Sequence, residues 1–556
     1  MLVIFMDEIE KRQEYIRKLY KTKLSCDKNL LELTTYNNIA MWWMVQPMVF
    51  NLLTIDACYP AKKAKLLTIL YKIAGPFIQF FYDYSLLMII KLMSCIYKRK
   101  HYPNQNSNKI AFLRQNFVWG YVMDSKTATR IIRDRYFYNV IKKFNSIYYD
   151  VLSFYPLAIR PICGIRAFIE QQKDTETRHM PLEKYLNINV YREYIDSYRF
   201  FKKQWKILRH DLIFKNLCVY NGIDEYDKIM AHLEFYFIFL FPYLVRESEL
   251  ARSMLRCERP SAIVMINEYG WIERSYIVAA KTESVPVIAL QHGVITPLHT
   301  GYNYKKDEIM GGTVNSPYCP IPDKIAVSGE YYFDLLTKIS SYPQSNVVVT
   351  GQPRYDIMLR ASEIYSKEKF CKIYNINPNH KIILWTTQCL AFSDEENNKN
   401  LDCVLSSMED VFDATLIVKQ HPEEPNIYTK KIKEYIKKYK SKKVLLVAKN
   451  SDIYELVCIC DLLITKMSTT AMEAAALNKP VIALDLSGDQ DTARYVSEGI
   501  AIGVYKSDDL TTAIKNLLEN DSLLAKRRES YVLEHLYKID GKASERVVDL
   551  IIKAIS

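Results

Sequence analysis

Short runs of consecutive apolar residues, each bounded by turn-forming residues, recur along most of the chain. One series comprises 109–113 (KIAFL), 150–154 (DVLSF), 262–266 (AIVMI), 286–290 (PVIAL), 324–328 (KIAVS) and 345–350. A second comprises 381–387 (KIILWTT), 414–418 (ATLIV), 443–447 (KVLLV), 461–465 (DLLIT), 480–484 (PVIAL) and 501–505 (AIGVY). A strand that is apolar on both faces must be covered on both faces, as in a parallel sheet between helices. The pattern therefore predicts an α/β fold of two doubly wound, Rossmann-like domains with a cleft between them. The boundaries are a helical N-terminal region over 1–105, a first domain over 106–350, a second over 351–520, and terminal helices over 521–556 that cross back onto the first domain. A charged, tyrosine-rich helical insertion, about 165–257, interrupts the first domain.

The N-terminal region departs from this pattern. NIAMWWMVQPMVFNLL (38–53) is broken by Gln46 and Pro47, and PFIQFFYDYSLLMIIKLMSCIY (76–97) by Asp83 and Lys91, so neither is a clean membrane span. As a helix, the second places Gln79, Asp83, Lys91 and Ser94 in one sector, followed by the basic group Lys98, Arg99, Lys100. Two arrangements suit it: an interfacial helix on an anionic membrane surface, or a buried helical hairpin.

Composition narrows the partners. The chain of 556 residues exceeds what one core supports, and its net charge of +12 suits an anionic partner such as a membrane surface, a nucleotide or an acidic polymer. Nucleic acid is disfavoured, because the one dense basic run, 430–443, reads as a solvated helix. Twelve cysteines without paired spacing give no disulfide or zinc signature. The start, MLVIFMDEIEKRQ, has too short an apolar run and too early an acidic residue for a signal peptide. The expected location is cytoplasmic, at the inner face of the plasma membrane.

Candidate chemistry lies at strand ends, where open α/β sheets bind ligands. Over 461–484, a strand, a small-residue turn at 466–470 and a helix at 471–477 form a phosphate cradle, with Ser468, Thr469 and Thr470 as donors. Thr470 and Glu473 also have the spacing of a capping box. The strand ATLIVKQHPEEP delivers Lys419, His421 and Pro422 beside the cradle. In the first domain, AIVMINEYG ends in Glu268 and Gly270, and PVIALQHGVITPLHTGYNY presents Gln291, His292, Gly293, His299 and Tyr302; Arg354, in VTGQPRYD, joins this substrate-binding set. Glu268 and His292 are the candidates for taking a proton from an acceptor hydroxyl, with donors opposite stabilising a leaving phosphate. The structural alternative for Glu268 is an ion pair with Arg274 or Arg252. Asp489 and Asp491 read as a turn, and no metal site is expected.

In order, NEYG, IALQHG, VSGEYYFDLL, VTGQPRYD, VKQHPEEP and ITKMSTTAMEAAALNKPVIALD span roughly 260–505. This series resembles the GT-B-fold glycosyltransferases of surface and capsular polysaccharide synthesis, nearest the capsule-synthesis, sialyltransferase-like and CDP-glycerol glycerophosphotransferase-like branches. The resemblance implies a catalytic base at Glu268, nucleotide-phosphate contacts from His421 and Pro422, donor-phosphate binding by Ser468, Thr469 and Thr470, and a ribose contact from Glu473. This chain departs by having Asn267-Glu268-Tyr269-Gly270 where sialyltransferase-like members tend to carry two acids before the glycine, and Ser468-Thr469 where the glycerophosphotransferases often pair serines. The implied activity is metal-independent transfer of a sugar from a CMP-, UDP- or CDP-linked donor to a polysaccharide or lipid-linked glycan, with no other cofactor. The alternatives are a CDP-glycerol-type polyol-phosphate transferase, a nucleotide-sugar epimerase and a non-catalytic glycan-assembly binding protein.

Overall fold

The computed structural model describes residues 2–54, 61–96, 108–114, 119–124, 129–146, 150–155, 169, 171, 174, 177–297, 299–310, 318–439, 443–487 and 494–556. The basic group at 98–100 and the pair Asp489 and Asp491 lie outside the described residues.

Two parallel sheets carry the structure. The first contains β1 (Lys109–Leu113), β2 (Asp150–Tyr155), β3 (Arg178–Pro181), β4 (Ala262–Ile266), β5 (Val287–Leu290), β6 (Lys324–Val327) and β7 (Val347–Val349), in the order β7-β6-β5-β4-β1-β2-β3. The second contains β8 (Lys381–Thr386), β9 (Ala414–Lys419), β10 (Val444–Leu446), β11 (Leu462–Thr465), β12 (Val481–Leu484) and β13 (Ile502–Val504), in the order β10-β9-β8-β11-β12-β13. Strand order reverses between β1 and β4 and between β8 and β11, and an open α/β sheet has its ligand crevice at the carboxyl end of such a switch. The loops after β4 and β11 carry Glu268 and Ser468.

β4 and β9 are buried at every residue, as their unbroken apolar runs require. β3, with sequence RHMP, has no such run and falls inside the span expected to be a helical insertion; it pairs in parallel with β2, Leu152 opposite Arg178. The insertion's helices follow it, including Ile188–Leu208, Tyr226–Phe235 and Phe241–Glu258. The terminal helix Ala543–Ile555 returns to the first sheet, where Val547 and Ile551 join Ile110 and Phe112 in one core.

The N-terminal region packs into the first domain. Trp42 and Trp43 are buried, Arg274 donates to the Trp43 carbonyl, and Glu308 receives Arg17 in a two-pronged pair at 3.1 and 3.2 Å. Helix Ala61–Ile96 is kinked at Ala74, just before Pro76. Proline displaces the carbonyl four residues earlier, here Lys72, whose oxygen instead accepts from Lys202 at 3.0 Å and Tyr198 at 3.3 Å.

This helix is amphipathic in the inverted sense. Gln79 and Asp83, two of the residues expected to share one sector, face the protein: Gln79 donates to Asp83 at 2.9 Å, and Asp83 accepts from Arg246 at 2.7 and 3.1 Å. Arg246 also meets Glu247, which accepts from the Tyr276 hydroxyl at 2.9 Å. The opposite face exposes Ile73, Phe77, Phe81, Tyr84, Met88 and Leu92.

Arg246 has no exposed surface, so removing one of its carboxylates strands part of a buried charge. Asp83→Ala is expected to cost about 3 kcal/mol in urea unfolding. A loss below about 1 kcal/mol would mean that Glu247 alone satisfies the guanidinium.

Candidate active site

The cleft between the two sheets is built from strand-end loops. After β4, Asn267 takes the left-handed conformation at φ 61°, which asparagine tolerates, and Gly270 N–H closes the turn on the Asn267 carbonyl at 2.8 Å. Glu268 is thereby only 2% exposed, its carboxyl lies against the Tyr302 hydroxyl, and burial pushes it up to about 7. It forms no ion pair with Arg252, which binds Glu249 and Glu283, or with Arg274, which serves Trp43 and Tyr304.

Tyr302, Tyr269 and His299 stack edge to face, with centroids 4.6 to 5.1 Å apart. Gly301 permits this approach, because a β-carbon there would lie 2.5 Å from the Tyr269 ring. His292 sits 6.0 Å from Tyr269, and burial together with the charges of His299 and Arg354 brings its imidazole down to about 4, so it is neutral at physiological pH. Gln291 is a strut: its side chain accepts from Ser328 N–H at 2.9 Å and donates to the Gly293 carbonyl at 2.8 Å.

In the second domain, the helix after β11 runs Thr470–Ala476, one residue earlier than expected. The proposed Thr470 and Glu473 capping box is not formed. Thr470 is the first helical residue, its N–H is met by Ser468 Oγ at 3.3 Å, and its hydroxyl pairs with Thr386 at 3.2 Å. Gln388 Oε1 accepts from the Lys466 and Met467 amides, both at 3.0 Å, so a side chain already occupies part of the cradle. Lys419 turns inward, with Nζ on the carbonyls of Gln420 and Lys449 at 2.7 and 2.6 Å, and stiffens the loop. His421 and Pro422 are exposed on that loop. Glu424, accepting from Thr387 at 2.7 Å and Cys389 N–H at 2.6 Å, anchors the loop to the end of β8.

The two halves meet at Arg354. Its guanidinium lies 5.0 Å from the Tyr136 ring and 5.2 Å from Tyr355, and 3.5 Å from Glu473, which is 2% exposed and which burial raises to about 7. A narrow cavity of about 10 Å³, room for one water, joins Gln291, His292 and Gly293 of the first domain to Thr469 and Met472 of the second. The structure thus brings His292, Gly293, Arg354, Thr469 and Glu473 together, while Glu268 and Lys419 are sealed away. Tyr136, Ser328 and Gln388 belong to the site but were not picked out from the sequence: Tyr136 and Gln388 stand in no motif, and Ser328 lies within VSGEYYFDLL without having been named. Glu498, Glu534 and His535 approach closely enough to share a cation, but Arg527 and Arg494 already neutralise Glu498.

Two Rossmann-like sheets facing one cleft, with a hydroxyl-lined loop on one side and titratable groups on the other, define a GT-B-type nucleotide-dependent transferase. The chain belongs to the CDP-glycerol:poly(glycerophosphate) glycerophosphotransferase family, whose model matches residues 246–553, more than half its length. This makes it a transferase that draws on a nucleotide-linked donor in cell-surface polymer synthesis. Similar solved structures include MnaA of S. aureus with UDP, at 15% identity and TM-score 0.48 over 80% of this chain and 96% of that one. UDP-GlcNAc 2-epimerase from Neisseria meningitidis bound to UDP-GlcNAc has 16% identity and TM-score 0.48 over 80% and 100%. The wall teichoic acid polymerase TagF soaked with CDPG has 14% identity and TM-score 0.44 over 81% and 88%. Likeness at this level says nothing of activity. No curated protein matches the chain.

The buried acids and imidazoles set opposite pH dependences. Glu268 is raised from 4.5, so its contribution to stability is full below about pH 4.5 and is lost as pH rises through about 7. Glu473 follows the same course. His292 is lowered from 6.5, so its contribution is full above about pH 6.5 and is lost as pH falls through about 4. Glu268→Gln should therefore flatten the decline in stability between about pH 5 and 8, by roughly 2–3 kcal/mol in denaturant titrations. Parallel curves for wild type and variant would show that Glu268 is not a buried titrating group.

Proposed function

We propose that the chain transfers a polyol phosphate from a CDP-linked donor to a hydroxyl of a cell-surface polymer or its lipid-linked precursor, with His292 as the base. The observation that supports this most directly is the cavity, whose walls are His292 and Gly293 on one side and Thr469 and Met472 on the other. Family membership favours polyol-phosphate transfer over transfer of a sugar.

In this reading the acceptor oxygen attacks the donor phosphorus that bears the polyol. A phosphodiester forms, the bridging anhydride bond breaks, CMP departs, and the acceptor proton passes to the neutral imidazole of His292. His421 and the hydroxyls of Ser468 and Thr469 meet the charge on the departing phosphate. Glu473, 2% exposed, acts behind Arg354 and holds that guanidinium beside the donor. Glu268, being sealed, acts as a positioning residue that holds Tyr302, Tyr269 and His299 beneath His292. In this reading the transfer needs no metal.

The inverted helix gives this enzyme a place to work. Leu66–Leu92 is about 40 Å long and apolar, and its polar seam is packed lengthwise against the first domain. A helix held along one side by a globular domain lies in the plane of a bilayer and buries its outer face. Ile73 at 80% exposed and Phe77 at 65% are at the centre of that face. The chain would then sit on the inner leaflet beside a lipid-linked acceptor.

His292→Asn should lower kcat by about 10²- to 10⁴-fold in the presence of EDTA, with CDP affinity nearly unchanged. Turnover within threefold of wild type would remove His292 as base, and loss of wild-type activity on adding EDTA would remove metal independence. Ile73→Ser with Phe77→Ser and Phe81→Ser should abolish flotation with anionic liposomes while leaving CDP-induced thermal stabilisation intact. Unchanged flotation would assign the apolar face to another partner.

A further inference from the structure

The Arg354 side chain is 13% exposed, yet among the described residues its guanidinium makes no short hydrogen bond. The Glu473 carboxylate is 3.5 Å away and the Tyr355 hydroxyl 3.3 Å, and Nε has no partner among the described residues. A cation largely out of water and without short directional bonds has to be held by other means. Two rings do so: Tyr136 lies 5.0 Å from the guanidinium carbon and Tyr355 5.2 Å, within cation–π range. Tyr355 follows Arg354 in the chain and moves with it. Of the two rings, only Tyr136 fixes the guanidinium relative to the first domain.

Tyr136 has a rigid mount between the hairpin strand Thr129–Asp134 and the helix Tyr138–Ser146. Asp134 is 3% exposed, and its Oδ1 accepts the amides of Tyr136 and Phe137, each at 2.8 Å. Phe137 has no exposed surface and packs 5.1 Å from Phe112 of β1, which pins the far side of the turn. The same helix holds the main chain just before Arg354, because Asn139 Nδ2 donates to the Pro353 carbonyl at 3.1 Å. One short segment thus grips both the backbone next to Arg354 and the guanidinium at its tip. The Tyr136 ring is also 6.4 Å from the His292 ring, so it neighbours the proposed base as well as the cation.

We propose that Tyr136 is a positioning residue of the transfer site: from the first domain it holds the Arg354 guanidinium at a set distance from His292, so that the donor phosphate met by Arg354 is aligned with the base. This rests on the place given to Arg354 beside the donor under the proposed function, and deepens it. A guanidinium meets two phosphate oxygens through a planar fork of donors, and the fork serves only when its plane is fixed. A ring face fixes that plane without claiming any of the N–H donors, which a carboxylate would take. Misplacement by about 1 Å at a reacting centre costs on the order of 100-fold in rate, so the gain from such a mount is large. Tyr136 and Asn139 both lie outside the span matched to the family, 246–553.

The test is calorimetric titration of full-length wild type, Tyr136→Leu, Tyr136→Phe, Arg354→Gln and the double variant Tyr136→Leu with Arg354→Gln, using CDP and cytidine. Wild type should bind CDP, and Arg354→Gln should weaken CDP binding by about 10- to 100-fold while leaving cytidine within about twofold. Tyr136→Leu should weaken CDP by about 3- to 30-fold and cytidine by less than about twofold. Tyr136→Phe should restore most of that loss, because the ring face returns. With Arg354→Gln already present, Tyr136→Leu should cost less than about twofold more, since its effect runs through the guanidinium. Tyr136→Met, long but without a ring, takes the place of the leucine variant if that chain does not fold. Tyr136→Leu that binds CDP as wild type does, or losses that multiply in the double variant, would overturn the role of Tyr136 and leave Arg354 at the donor. Equal weakening toward CDP and cytidine would also overturn it, by showing a general structural effect. Arg354→Gln that binds CDP as wild type does, or wild type that binds neither compound, would overturn the place of Arg354 and the inference with it.

Discussion

The cleft depends on a chain crossing. The last helix, Ala543–Ile555, belongs by sequence to the end of the second domain but by packing to the core of the first, where Val547 and Ile551 have no exposed surface. Asp356 receives the amides of Ala543 and Ser544 at 2.8 and 2.9 Å, and Arg546 donates to the Thr350 carbonyl at 2.6 Å, so the return is locked beside the outward connection. Gly329 lets the crossing segment pass: a β-carbon there would lie 2.4 Å from the Glu534 carbonyl oxygen. Two crossings side by side join the domains along one seam. Arg354, three residues past Gly351, sits beside this seam and touches both walls.

Burial sorts the candidate residues into those that react and those that hold. Glu268 and His292 are both titratable, on adjacent loops, and each has the chemistry of a base. Only the second borders the cleft, because the turn at Asn267 leaves Glu268 2% exposed beneath Tyr302. A carboxyl raised to about 7 in such a place keeps its proton up to the edge of the neutral range. His292, brought down to about 4, holds no proton of its own to interfere with accepting one. The same distinction separates His421 from Lys419 two residues earlier: the lysine alternates to the inner side of the loop and spends its charge on carbonyls.

The strands were legible because a strand covered on both faces has to be apolar along its length, and each expected run became one. β3 escaped because RHMP has one core residue, Met180, and gains the rest of its place from Arg178, His179 and their partners, Glu258 and Asp174. The strand-end motifs named the right loops, but side-chain direction within a loop depends on contacts distant in sequence. Gln388 filling the cradle amides and Arg354 meeting Glu473 are examples. The turn at Asp134–Phe137 carried no signal, since its importance comes from setting Tyr136 against Arg354, more than 200 residues away in the chain.

Helix Ala61–Ile96 shows how the same sequence pattern reverses meaning with its surroundings. A polar sector on an otherwise apolar helix suggests a face toward water only if the protein is the apolar phase. Here Gln79 and Asp83 are spent on Tyr71 and Arg246, and the hydrogen bonds that they make are worth more in the dry interface than at a wet surface. The apolar face is left outside, where burial against hydrocarbon recovers about 25 cal/mol for each Å² removed from water. The network continues from Arg246 through Glu247 to Tyr276, which lies on helix Trp271–Thr282, and that helix starts at Gly270 of the turn bearing Glu268. The exposed apolar face is therefore linked by buried, directional bonds to the turn that bears Glu268, so a load on that face is carried through Arg246 and Glu247 to the edge of the cleft.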